Sequence, residues 1–128
     1  ERRIAEGLRL AKLMLGISKE KTEARGVRLL ILMIPTKEEA YAQSMKKIQG
    51  TPNNTYARLV KMETEARESV AEFCRQNAIQ YVDSVPALEE SIRRGVNPYA
   101  ENADGHPGVQ GHHVLASVVA NAIEKMRW

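Results

Sequence analysis

Residues 27–34, VRLLILMI, constrain the fold of this chain more than any other segment. Side chains of a strand alternate between its two faces. Here one set is Val27, Leu29, Ile31 and Met33, the other Leu30, Leu32 and Ile34, with Arg28 the only charge. Both faces are apolar, so both need cover, which is the condition of a strand in a parallel sheet between helical layers. Gly26 precedes the run and Pro35 ends it.

The segments around it read mostly as helices. Residues 3–25 carry Leu10, Leu13, Met14, Ile17 and Ala24 on one helical stripe, weakened by Gly7 and Gly16. Gly26 follows, where a left-handed residue closes a helix cheaply. Thr36 to Glu39 has the form of a capping box, with Thr36 as cap and Glu39 three residues on, and opens a helix to about Lys47. Gly50, Pro52, Asn53 and Asn54 mark a loop over 49–55. A long helix over 56–77 follows, capped by Thr55, with Leu59, Met62 or Glu63, Ala66, Val70, Phe73 and Cys74 inward. Residues 79–85 read as a shorter, more polar strand, and 86–94 as a helix closed by Gly95. A loop over 97–110 leads to a helix over 111–126, with Val114, Leu115, Val118, Val119, Ala122 and Ile123 inward.

A strand, a long helical crossover and a second strand imply parallel pairing with a right-handed connection. Two such strands make a poor sheet alone. The first strand therefore calls for a further partner: an upstream segment, a second chain, or a strand not evident in the pattern.

Composition bounds the function classes. The net charge of +3 is small, no five like charges run together, and nucleic-acid binding is not expected. No apolar run reaches the roughly 18 residues of a membrane span. The lone Cys74 excludes an internal disulfide and reads as a small buried filler. The chain starts at Glu1 without a signal-peptide pattern, so a targeting segment can lie outside it and localisation is not readable from the residues.

The chemistry concentrates in Ala103-Asp104-Gly105-His106-Pro107-Gly108-Val109-Gln110-Gly111-His112. Asp104 and His106 flank a glycine in a turn-rich loop. Such a loop can bend a carboxylate onto one imidazole nitrogen and leave the other as a base. The plain alternative makes Asp104 a turn residue and His106 an exposed loop histidine. His112 and His113 point about 100° apart on a helix. With no cysteine pair and no histidines four apart, no metal site is expected, and one of the two is expected to pack near the loop. No cofactor is expected. Lys37 and Tyr41 read most simply as a solvated helix-start residue and a half-buried packing residue. Asn53-Asn54-Thr55 matches a glycosylation sequon, a pattern common by chance.

This loop resembles the last sequence block of the SGNH or GDSL hydrolases, where Asp and His precede a Pro, a Gly and the closing helix. The two-residue spacing from Asp104 to His106 is similar to the polysaccharide O-acetyltransferase branch, which includes alginate-acetylation proteins. ILMIPTKEEAY, residues 31–41, resembles a segment of the same branch. The resemblance spans most of residues 5–126. It implies an α/β fold, a flavodoxin-like three-layer α/β/α domain of which 1–128 is the C-terminal part. It also implies His106 as base, Asp104 as its orienting partner, Lys37 and Tyr41 near substrate, and an acylated carbohydrate or small ester as substrate. A periplasmic, extracellular or membrane-anchored location rests on the resemblance alone.

The family's Gly-Asp-Ser nucleophile turn and its oxyanion Gly and Asn blocks have no counterpart here. The serines are Ser18, Ser44, Ser69, Ser84, Ser91 and Ser117. Ser84 ends a strand but lacks the glycine turn of an exposed nucleophile, and reads as a cap for the next helix. The expectation is an enzyme part, inactive alone, whose serine lies outside the chain and which pairs with a missing N-terminal half or forms a homo-oligomer. The alternative is a non-catalytic binding or assembly module with a degenerate fold of the same type.

Overall fold

A computed structural model describes residues 2–49, 54–100 and 105–126. The elements are α1 (Arg2–Glu23), β1 (Leu30–Met33), α2 (Lys37–Gln49), α3 (Asn54–Gln76), β2 (Gln80–Asp83), α4 (Val85–Arg93) and α5 (Val109–Lys125). The protein is mixed α/β and mostly helical, with β1 and β2 paired in parallel as a two-stranded sheet. Gly50 to Asn53, with the sequon asparagine, and Glu101 to Asp104 lie outside the described residues.

The helices fall close to their expected spans, but the strands are shorter. The strand expected over 27–34 is Leu30–Met33, and that over 79–85 is Gln80–Asp83. A ladder is only as long as its partner, and β2 offers four residues. Val27 and Ile34 are left exposed, and all four β1 residues are half-buried.

Three elements end on one device. Gly26, Ala78 and Gly95 have φ of +65°, +52° and +80°. The following amides donate back to Thr22 O (2.9 Å, from Val27), Cys74 O (2.8 Å, from Ile79) and Ser91 O (3.0 Å, from Val96). These are Schellman closures, which satisfy carbonyls that a helix end leaves open.

The chain divides into two units. The first comprises Glu1–Ile31 with Glu65–Tyr81. In it Lys12 Nζ donates to Ser69 Oγ at 2.7 Å, Gly16 faces Phe73, and Cys74 is fully buried. The apolar stripe of α1 is not its contact side. Leu10, Leu13 and Met14 are exposed, and of the stripe only Ile17 is half-buried. Leu8, Lys12, Leu15, Gly16, Lys19 and Thr22 are half-buried instead. At 100° per residue that row lies on the opposite side of the helix.

The second unit comprises Leu32–Thr64 with Val82–Trp128. Helix α4 packs on both α2 and α5. Its Val85, Leu88 and Ser91 are buried, spaced three apart on one face. Fully buried Leu88 meets Ala40, Tyr99 and Leu115, with Leu32, Tyr41, Ile92 and Val114 around them. Removing Leu88 from water contributes about 1.5–3 kcal/mol. Leu59 and Ile123, expected inward, are exposed, whereas Val70, Leu115 and Ala122, also expected inward, are buried.

Candidate functional site

The site lies in the second unit, where the chain leaves β1. Pro35 is buried, and its carbonyl accepts the Tyr99 hydroxyl at 2.8 Å. Thr36 caps α2 as expected, its Oγ1 accepting the Glu39 amide at 3.2 Å. The same hydroxyl donates to the Glu63 carboxylate at 2.6 Å. Glu39 is buried, and its carboxylate accepts from Thr64 Oγ1 at 3.0 Å. Two threonine–glutamate pairs thus tie the first turn of α2 to the middle of α3. Burial, above all, holds the Glu63 carboxyl above its usual range; the Thr36 hydrogen bond opposes that, and Glu38 and Glu39 add to it.

Lys37 and Tyr41 stand one turn apart on α2 and therefore share a face. Lys37 Nζ donates to the Ala100 carbonyl at 2.7 Å, and the Tyr41 hydroxyl donates to Asn97 Oδ1. Asn97 Oδ1 also accepts the Tyr99 amide at 3.1 Å, a local side-chain turn. Tyr99 is 2% exposed and its ring centroid is 6.1 Å from that of Tyr41. Burial, then the proximity of Tyr41, Glu39 and Glu38, pushes the Tyr99 phenol up to about 12.

The far side of the loop is closed by backbone. Tyr99 and Pro107 form an antiparallel bridge, and the Gly108 amide donates to Pro98 O at 2.9 Å. Residues 100 and 107 are therefore held at the base of the loop whose sequence includes Asp104, Gly105 and His106. His106 is exposed beside Pro107; Asp104 lies outside the described residues. Gly108, extended at φ −79° and ψ −170°, precedes α5, so the helix begins at Val109 rather than Gly111. Gly111 is buried against Pro98.

Ser84 is not a side-chain cap. Its hydroxyl makes no capping bond to α4 and donates to the Met33 carbonyl at 2.6 Å, tying the exits of β1 and β2. Asp83 does the local work instead, its Oδ1 accepting the Val85 amide at 3.0 Å. Ser84 is fully buried, so its environment is that of a structural crosslink rather than a presented nucleophile. His112 and His113 are both exposed, whereas one was expected to pack near the loop; Gly111 and Leu115 take the inward positions of this stretch. Among the described residues no three His, Cys, Asp or Glu side chains converge as a metal site would need.

Lys37, Glu38, Tyr41, Met45 and Tyr56 line an open cleft of about 280 Å³ beside α2. The Tyr56 hydroxyl donates to Glu38 O at 2.7 Å. Sequence reasoning singled out Lys37, Tyr41 and His106 but missed Asn97, Tyr99 and Gly111. Asn97-Pro98-Tyr99 carried a usable signal, since Asn-Pro starts turns and a tyrosine among loop residues wants a packed ring.

Comparisons with family models, with curated proteins and with solved structures give no match to this chain. Among the described residues no helix is long and apolar enough to cross a membrane.

Proposed function

We propose that these 128 residues are part of an SGNH-like ester hydrolase or O-acetyltransferase, with a flavodoxin-like three-layer fold once the domain is whole. Its substrate is an acyl ester, of carbohydrate in the polysaccharide O-acetyltransferase pattern. The observation that carries the reading is the anchored loop at the exit of β1. Reactive groups of parallel α/β sheets sit beyond the carboxyl ends of the strands, and the loop of His106 is bonded there through Tyr99 to Pro35.

In this mechanism the Asp104 carboxylate accepts a hydrogen bond from the Nδ1–H of His106, and Nε2 faces a serine supplied from outside these residues. As the serine oxygen attacks the acyl carbonyl, Nε2 takes its proton, then passes it to the departing alcohol. Water or a sugar hydroxyl next gives its proton to Nε2 while attacking the acyl-serine, and the serine oxygen leaves with that proton. Hydrolysis and transfer differ only in the second nucleophile. The rest of such a domain, or a second copy in a homo-oligomer, would cover the exposed Leu10, Leu13 and Met14.

Diethyl pyrocarbonate tests the pair, because it acylates neutral imidazole nitrogens and mass spectrometry separates the three histidines. All three are exposed, so access alone predicts similar rates. The proposal predicts that His106 reacts several-fold faster than His112 and His113, and that Asp104→Asn removes the excess. Equal rates at all three positions in both proteins would contradict it.

A further inference from the structure

We infer that Lys37 and Tyr41 are positioning residues for His106: one face of α2 clamps the incoming limb of the His106 loop, and a backbone bridge clamps the outgoing limb. The inference rests on the reading of His106 as the base.

The incoming limb is Asn97 to Ala100. Lys37 Nζ holds the Ala100 carbonyl at 2.7 Å, Tyr41 holds the Asn97 side chain, and Asn97 in turn orients the Tyr99 amide. A lysine at a helix start would ordinarily extend into water. Here its ammonium caps a carbonyl that leads straight into the loop, and a charge-assisted bond of this kind is stronger than a neutral one. The outgoing limb is held by the Tyr99–Pro107 bridge and by the Gly108 amide on Pro98 O. His106 immediately precedes Pro107, and a residue before proline is confined to extended conformations. The histidine is thus next to a proline that the Tyr99–Pro107 bridge ties to the limb held by Lys37 and Tyr41.

The clamp is itself braced. Lys37 and Tyr41 leave the first turns of α2, which the Thr36–Glu63 and Glu39–Thr64 bonds fasten to α3. A base must be held within a fraction of an ångström of its working position, and that precision comes from residues behind it. Neither Lys37 nor Tyr41 needs to touch substrate for this role.

The readout is the tautomer of neutral His106, taken from long-range ¹⁵N–¹H correlation spectra of the full chain. The base reading requires the proton on Nδ1. Lys37→Met and Tyr41→Phe are each expected to lose that preference and move the ring toward the Nε2–H form, with the His112 and His113 signals unchanged. Lys37→Arg keeps a donor for Ala100 and is expected to restore the wild-type tautomer. Lower thermal stability in Lys37→Met and Tyr41→Phe with an unaltered His106 tautomer would reduce the clamp to a stabilising contact and overturn the inference. If Lys37→Met does not fold, Tyr41→Phe, which removes one hydroxyl, decides alone. Asp104→Asn separates the two levels. Should it leave the tautomer unchanged, the base reading fails and the inference with it. Should it shift the tautomer while Lys37→Met and Tyr41→Phe do not, the base reading stands and only the clamp is wrong.

Discussion

Gly111 lies so close to Pro98 that a Cβ on it would fall 2.1 Å from the Pro98 carbonyl oxygen and 2.8 Å from Pro107 Cβ. That approach lets the start of α5 lie against the turn that carries Tyr99. Gly111→Ala is expected to destabilise the protein by about 1–3 kcal/mol, since overpacking outweighs the better helix propensity of alanine. Gly105→Ala is the control: nothing lies within 4 Å of its Cβ position, and its effect should stay within about 0.5 kcal/mol. Urea denaturation of both variants gives the comparison, and equal midpoints would show that the Pro98 contact is not structural.

Ser84 tests whether a nucleophile hides among the described serines. Its hydroxyl donates to Met33 O, and the Ser84 amide donates to the same oxygen at 3.3 Å. Ser84→Ala should cost about 1–2 kcal/mol, the range for a buried hydrogen bond whose acceptor keeps one weaker donor. The 128-residue chain should show no turnover of p-nitrophenyl acetate above background, with or without the substitution. Turnover that vanishes in Ser84→Ala would place the nucleophile inside the chain.

Tyr99 sets an alkaline limit. Its phenol is pushed up to about 12 by burial, against about 10 in an unfolded chain. A group whose folded pKa is raised binds its proton longer when folded, so its contribution is complete below pH 10 and is lost as pH rises from 10 to 12. Two units correspond to about 2–3 kcal/mol at most. In Tyr99→Phe the decline in stability across that window should be shallower. Tyrosinate absorbance should also show a late-ionising tyrosine in the wild type that is missing from the variant.

What was legible in the sequence follows from how local each signal is. Thr36, Gly26 and Gly95 announce a cap and two helix ends because each acts within its own turn. Ala78 performs the same closure as the two glycines but carries a Cβ, so nothing in its identity marks it. A left-handed alanine costs about 1–2 kcal/mol, and Ala78→Gly should therefore stabilise the protein by about 0.5–1 kcal/mol after the added unfolded-state freedom of glycine. Thermal denaturation would show a rise in Tm, where a fall would mean that the strain is relieved elsewhere.

The contact side of α1 is not legible in the sequence, for the opposite reason. Apolar periodicity names a stripe but not its partner, and here the half-buried row includes Lys12, whose ammonium bonds Ser69, and Gly16, which faces Phe73. In the candidate site, His106 was visible as a residue type in a turn-rich loop. The Lys37–Ala100 and Tyr41–Asn97 bonds were not, because each spans more than fifty residues of sequence and depends on where α2 packs against α4.

The central claim is that Asp104 orients His106. A crystal structure of the chain tests it most directly, through the separation between the Asp104 carboxylate and His106 Nδ1. The account predicts a hydrogen bond of roughly 2.6–3.2 Å, with Nε2 facing outward from the loop. An ordered loop in which the carboxylate and the imidazole point apart would contradict it and leave His106 an exposed loop histidine.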